Sequence, residues 1–313
     1  MIKHELTDKA LEILRLHYNS DEPGNTLAPL KGGEWSAAYR FAVEGESYVI
    51  RLSHTDENFH RDAMAARWSS PDLPIPQIIT VNQYNDQFYA ISTFSQGEAF
   101  ENLSAEDMKL TLPSFLSMMT ALQSVDVDSF SGYGTITPEG NGVFRSWAEA
   151  LLDVDKDHQE SLTHGWSQSL AAYPQQQGKV TRFYALLCDM VQFCPDIKRV
   201  IHSDLIYQNL LVHDHRISAV LDWGCAMIGD PVYDIAWFAF YEPWFPVFSQ
   251  VDLIKTMQQS YFEQSVNDSS NFQQRIAAYQ IHLTIATIAY CAISNREKDM
   301  NDHINRLEDI LSR

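Results

Sequence analysis

The stretch Val200-Ile201-His202-Ser203-Asp204-Leu205-Ile206-Tyr207-Gln208-Asn209-Leu210-Leu211, followed by Leu221-Asp222-Trp223-Gly224, decides how this chain is to be read. It opens on an apolar run short enough for a buried strand, passes through a polar loop and closes on a second apolar run. Asn209 to Val212 and Ile217 to Trp223 pair as a hairpin across the turn-forming His213-Asp214-His215-Arg216. The loop then presents Asp204 at its start and Asn209 at its end, and the hairpin returns Asp222 beside Asn209. Two oxygen donors facing one site suit magnesium, which takes one or two carboxylates and completes its shell with phosphate oxygens and water.

The spacing His-x-Asp-x4-Asn with a later Asp-aromatic-Gly is the one by which protein kinases orient a hydroxyl and hold metal ions. Taken singly, each residue has an ordinary explanation. Asp204 fits a turn, Asn209 fits the backbone needs of that turn, and His202 fits a packed interior. The four together, with a strand before and a hairpin after, are much harder to obtain by chance. His202 takes a structural role even within this pattern. A zinc site from His202, Asp204, His213 and His215 competes on residue type alone. The hairpin turn, however, points His213 and His215 away from the loop.

Working outward, the N-terminal third has strand character. Thr26 to Leu30, Ala37 to Val43, Ser47 to Leu52, Ile78 to Tyr84 and Gln87 to Phe94 are β-rich, with turns at Lys31-Gly32-Gly33-Glu34, Glu44-Gly45-Glu46 and Asn85-Asp86. Asp56 to Ser69 has helical spacing, so the order is βββαββ, and Met1 to Ser20 reads as an amphipathic helix. From Ser104 onward helices dominate. Ser104 caps one that Pro113 is expected to restart, and others cover Trp147 to Leu152, Val180 to Phe193, Tyr233 to Phe240, Leu253 to Gln264, Phe272 to Ser294 and Asp302 to Leu311. The polar Ser95-Gln96-Gly97-Glu98 divides an N-terminal region, residues 1–95, from a helical one, residues 96–313. The class is α+β.

The chain has 313 residues with 41 acidic against 22 basic, a formal net charge of −19. Clustered Lys and Arg are absent, which argues against nucleic acid as a partner. Such a surface attracts cations, although it also serves plain solubility. Cys188, Cys194, Cys225 and Cys291 form no CxxC pair and are expected as reduced core residues of a cytoplasmic protein. The most apolar run, Leu283 to Ile293, is about half of what spans a bilayer, and no membrane segment or signal peptide is expected.

Together with Gly229-Asp230-Pro231-Val232-Tyr233-Asp234-Ile235-Ala236, the central motif resembles the aminoglycoside phosphotransferase family across nearly the whole chain. Tyr48-Val49-Ile50-Arg51, Leu73-Pro74-Ile75-Pro76, Ser131-Gly132-Tyr133-Gly134 and Phe240-Tyr241-Glu242-Pro243-Trp244 are most like its hygromycin B-phosphorylating members. The resemblance implies a protein-kinase-like two-lobe fold, a small β-rich N-terminal lobe before a larger helical one. It also implies transfer of the γ-phosphoryl group of ATP, with Mg2+, to a hydroxyl of a small cationic molecule such as hygromycin B. Asp204 is then the catalytic base, and Asn209 and Asp222 are the metal ligands. Asp230 fits a helix N-cap, and Asp234 braces the catalytic loop.

On the nucleotide side, Arg51 stands where the family's phosphate-binding lysine is expected, with Asp62 in place of the usual glutamate. Arginine binds phosphate bidentately, so the function survives the exchange. A GxGxxG loop is absent; Gly33 and Ser36 are the candidates to offer backbone amides to phosphate, and Phe94 and Ser95 to border the adenine. Tyr241, Glu242 and Trp244 are the candidates for the acceptor pocket, where aromatic faces and a carboxylate suit a cationic sugar. Trp237 reads as core. A metabolic kinase acting on a sugar, amino alcohol or homoserine-like acceptor shares every motif, and a catalytically dead binding protein remains a third reading. Monomer and homodimer are both open.

Overall fold

Short β-rich segments build the first sheet. They are β1 (Ala28–Pro29), β2 (Ala37–Val43), β3 (Glu46–Ser53), β4 (Ile78–Tyr84) and β5 (Gln87–Thr93), in spatial order β1-β2-β3-β5-β4 and antiparallel throughout. Tyr39, Phe41, Ile50, Leu52, Tyr89 and Ile91 turn to one face, where Ala10, Ile13 and Leu14 of the helix Ile2–Tyr18 close the core. The β2–β3 hairpin turns through Glu44 and Gly45, both left-handed (φ 52° and 84°), as the twist of paired strands requires. The helix Glu57–Ala65 connects β3 to β4, so the expected βββαββ order is present.

Further strands follow: β6 (Glu98–Ala99), β7 (Tyr133–Ile136), β8 (Gly142–Phe144), β9 (Arg199–Ile201), β10 (Leu210–His213), β11 (Arg216–Val220) and β12 (Met227–Gly229). They form two more sheets, β11-β10-β6 and β8-β7-β12-β9. The computed structural model describes residues 2–30, 36–264 and 268–312, with side chains from Leu6 onward. Its contacts separate into two compact units. One comprises Met1–Leu103, Leu110–Met119 and Tyr207–Gly224; the other comprises Ser104–Lys109, Thr120–Ile206 and Cys225–Arg313. The chain therefore passes from the second unit to the first between Ile206 and Tyr207, and returns between Gly224 and Cys225.

In the second unit the helix Phe272–Ile293 is the central element, packed against the helices Trp166–Leu170, Pro174–Met190, Val232–Tyr241 and Glu297–Leu311. By length and composition it could cross a membrane, but two thirds of its apolar window is buried inside the unit. It is also pinned by charge. Arg275, with no exposed side-chain surface, donates from Nε and Nη2 to the equally buried Asp230 at 2.7 and 2.6 Å. The Tyr279 hydroxyl donates to the same carboxylate, and Arg275 also reaches the Tyr261 hydroxyl at 3.0 Å.

Several expectations need correction. Pro113 does not restart a helix: Ala105–Gln123 runs through it, because Met108, Phe115, Met118 and Leu122 bury one continuous face that outweighs a single missing hydrogen bond. Strands β7, β8 and β12 were not foreseen, being three or four residues long, too short for periodicity to register. The β10–β11 turn consists of Asp214 and His215 alone, both left-handed (φ 49° and 58°), and His213 ends its strand. Only Cys194 and Cys291 are core; Cys188 and Cys225 are exposed.

Removing one partner of a buried ion pair leaves an uncompensated charge, at a cost of about 3–5 kcal/mol. Arg275→Met should therefore lose about that much stability in equilibrium urea unfolding. Asp230→Asn combined with Arg275→Met should recover most of the loss.

Candidate active site

In the first unit, Arg51 lies on β3 between Ile50 and Leu52, which point to the core, so its side chain leaves by the opposite face. Its cross-strand neighbours are Ala38 and Ala90, whose small side chains leave the guanidinium room. Arg51 Nη2 donates to Asp62 Oδ2, and its guanidinium lies over the Phe59 ring at 5.1 Å. Burial works against the Arg51 charge, but Asp62 and then Asp222 outweigh it and raise the guanidinium pKa further. The expected pairing of Arg51 with Asp62 is thus formed.

Asp62 has a second partner that the sequence did not reveal. Its Oδ1 accepts the Trp223 amide at 2.9 Å, one residue beyond Asp222. The helix carrying Asp62 also grips the next residue, since Arg61 Nη1 donates to the Gly224 carbonyl at 3.0 Å. A Cβ at position 224 would lie 2.8 Å from the Asn58 side chain, which explains the glycine there. Trp223, 1% exposed, fills the space beneath with its ring edge-on to Trp68. Asp222 itself is left-handed (φ 59°).

The segments carrying Asn209 and Asp222 run side by side, the Leu221 amide donating to the Asn209 carbonyl at 2.8 Å. Desolvation, and then the charge of Asp62, raises the Asp222 carboxyl pKa, with Arg51 and the Gly224 amide opposing. Two carboxylates sharing one cation leave negative charge in excess. A hard divalent ion on Asp222 and Asn209 relieves that excess, so the donor set fits magnesium. Among the described residues no group of three or more His, Cys, Asp or Glu side chains is arranged to hold a metal.

Of the remaining nucleotide candidates, Gly33 lies outside the described residues, and Ser36 precedes β2 in irregular chain. Phe94 has the Arg40 guanidinium over its ring at 4.2 Å. The Thr93 and Phe94 amides are committed to the carbonyls of Gln77 and Ser47, so of this connector Ser95 is the candidate to meet a base through its backbone.

In the second unit, β9 delivers the loop that begins at His202. The His202 and Ser203 amides donate to the two oxygens of Asp234 at 3.2 and 2.8 Å, which fixes Ser203 in a left-handed turn (φ 61°). Ser203 Oγ donates to the Cys225 carbonyl at 2.6 Å. The Asp204 amide donates to His202 Nδ1 at 3.3 Å. His202 is fully buried, whereas Asp204 is half-buried with its carboxylate on the loop. Asp234 sits on the first turn of Val232–Tyr241, four residues after Asp230. Asp230 Oδ1 accepts the Val232 amide at 3.1 Å as a cap does, but its main partners are Arg275 and Tyr279.

The acceptor candidates divide. Tyr241 is 3% exposed and packs against Trp237, Phe240, Trp244 and His303, with His303 Nε2 3.3 Å from its hydroxyl; it is an interior residue. Glu242 is half-buried, and Trp244, 39% exposed, stacks on His303. Trp237 is only half-buried, and its indole nitrogen is enclosed with no hydrogen-bond partner among the described residues.

Residues 26–263 match the model of the APH phosphotransferase enzyme family. The chain is 27% identical over 285 residues to the hygromycin-B 4-O-kinase of Escherichia coli, spanning 90% of this chain and 79% of that protein. Its fold is similar to that of a thermostable mutant of the aminoglycoside phosphotransferase APH(4)-Ia, solved in a ternary complex with AMP-PNP and hygromycin B. The TM-score is 0.83 at 24% identity, with 96% of this chain and 97% of that one covered. More distantly it resembles macrolide 2'-phosphotransferase MphH from Brachybacterium faecium, with a TM-score of 0.58 at 16% identity, covering 97% and 98%. The expected protein-kinase-like α+β fold is borne out.

Burial raises the Asp234 carboxyl pKa from 3.8 to about 7, against the lowering effect of its two amide bonds. The folded chain thus holds this proton more tightly than the unfolded chain. Its contribution to stability is full below about pH 4, is lost as pH rises to about 7, and is flat above. The span is on the order of 4 kcal/mol. Chemical denaturation between pH 4 and pH 8 should show this fall, and Asp234→Asn should flatten it.

Proposed function

The chain belongs to the phosphotransferase enzyme family, and from that premise we propose that it transfers the γ-phosphoryl group of ATP to a hydroxyl of an aminoglycoside of the hygromycin B kind. The observation that carries the acceptor class is the 27% identity to the hygromycin-B 4-O-kinase over 90% of this chain. The charge of −19 supports it, since an acidic surface draws in a polycationic sugar. Glu242 and Trp244 supply a carboxylate and an accessible aromatic face for its ammonium groups. Different acceptors are named for structures of this fold, among them a macrolide and spectinomycin, so an unrelated hydroxyl compound is the second reading.

In this reading Asp204 accepts a hydrogen bond from the acceptor hydroxyl, aims its oxygen at the γ-phosphorus and receives its proton as the new P–O bond forms. The bond from the γ-phosphorus to the bridging oxygen breaks, and ADP departs. His202 and the Asp234-bound amides hold Asp204 in place. Arg51, oriented by Asp62, binds the phosphates of the nucleotide. Asn209 and Asp222 are the residues that would hold Mg2+, which when bound would supply positive charge to the phosphates. Positioning and electrostatics do the catalysis, with no covalent enzyme intermediate. Nucleotide binding falls mainly to residues 1–95 and acceptor binding to residues 96–313. The reaction is placed in the cytoplasm, where ATP and magnesium are supplied.

ADP release should be stimulated by one or more members of an aminoglycoside panel that includes hygromycin B. Asp204→Asn should lower kcat at least about 100-fold while leaving ADP affinity unchanged. A near wild-type rate in that variant would remove Asp204 as the base. Activity only on a non-cationic hydroxyl compound would favour the second reading. Arg51→Ala should raise KM for ATP about tenfold and leave KM for the acceptor alone.

A further inference from the structure

Tyr207 and Gln208, which immediately precede Asn209, are both left-handed (φ 60° and 74°). For residues with a Cβ this conformation is strained, so something must hold the pair there. The Gln208 amide donates to Glu101 Oε1 at 2.6 Å, across 107 residues of sequence. Glu101 lies in the single turn Phe100–Asn102, directly after β6, which pairs with β10 through Leu211↔Ala99 and Val212↔Glu98.

That pairing is unusually close. A Cβ on Gly97 would lie 2.9 Å from Leu211 Cβ and 3.0 Å from the Val212 amide, so only glycine lets the segment approach β10. Ser218 Oγ adds a hydrogen bond to the Gln96 carbonyl at 2.7 Å. On the other side Phe100, 1% exposed, stacks on Phe115 with centroids 4.8 Å apart. Glu101 is thus carried on a rigid mount. Its second oxygen, Oε2, is enclosed and has no hydrogen-bond partner among the described residues. Enclosing a carboxylate is costly, and its hydrogen bond to a distant part of the chain goes to the residue before Asn209.

We propose that Glu101 is a positioning residue for phosphoryl transfer, holding the left-handed Tyr207–Gln208 turn through the Gln208 amide and so setting where Asn209 presents its oxygen to the metal. This rests on the assignment of Asn209 as a metal ligand. The Asn209 carbonyl is already fixed by the Leu221 amide, and the turn that enters Asn209 sets the direction in which its Cβ leaves the backbone. A residue acting in this way on a metal ligand contributes about 10–100-fold to metal affinity. What the turn requires from position 101 is an acceptor of the right reach; glutamine supplies one, whereas aspartate, one methylene shorter, does not.

The test is calorimetric binding of ADP to the full chain, with and without magnesium chloride, for wild type, Glu101→Ala, Glu101→Asp and Glu101→Gln. Wild type should bind ADP more tightly with magnesium. Glu101→Ala and Glu101→Asp should lose at least about tenfold of that metal-dependent gain while keeping wild-type affinity for ADP alone. Glu101→Gln should keep the gain to within about twofold. Thermal melts identify any variant that fails to fold, and the other of the alanine and aspartate variants then decides. An undiminished gain in Glu101→Ala or Glu101→Asp overturns the inference, as does a loss in Glu101→Gln as large as in Glu101→Ala. Absence of any metal-dependent gain in wild type overturns the assignment of Asn209, and this inference with it.

Discussion

A carboxylate buried to 2% exposure has to be satisfied by the dipoles around it, and Asp234 is satisfied by the backbone of the loop that carries Asp204. The dependence runs both ways. Without the His202 and Ser203 amides the charge of Asp234 would have no solvation. Without Asp234 the left-handed turn at Ser203 would keep only the Ser203 Oγ bond to the Cys225 carbonyl to offset its strain. The carboxyl pKa, raised by burial to about 7, records that the cost of burial exceeds the gain from those bonds. Four residues earlier, Asp230 is tied to Arg275 and Tyr279. Two acids on one helical turn thereby fasten the helix that follows to the central helix on one side and to the loop on the other.

The first unit solves a similar problem with a different acid. Asp62 spends one oxygen on Arg51 and the other on the Trp223 amide, so the cation proposed for the phosphates and the segment carrying Asp222 share one anchor. A change at Asp62 therefore acts on both. The closeness of Gly224 to Asn58 shows why the Asp-Trp-Gly order has little freedom: the glycine marks a place where the Asn58 side chain lies against the backbone. The exchange of the usual lysine and glutamate for Arg51 and Asp62 keeps the ion pair, with a longer cation reaching a shorter acid.

Much of this was legible in the primary structure wherever the signal is local. Strands β2 and β3 of the first sheet alternate over part of their length, and the helix carrying Asp62 begins and ends near where its spacing places it. The spacing from His202 to Asp222 implied a hairpin, and β10 and β11 form one. Pro113 misled because the rule for proline is local, whereas the apolar face that overrides it is assembled from distant partners. Tyr241 misled for the related reason that an aromatic residue near a motif suits a pocket and a core equally well.

The amino-acid sequence by itself determined the chemistry on offer: which acids, amides and cations stand in which order, and that their spacing suits phosphate and a divalent ion. It also determined the local elements, because periodicity and turn propensity act over a few residues. Tertiary structure decided how each buried charge is satisfied. Arg275 meets Asp230 across 45 residues, Trp223 meets Asp62 across 161, and Glu101 meets Gln208 across 107. No short-range pattern encodes such pairs. They form because a polar group removed from water must find a partner, and only the folded chain decides which one is within reach.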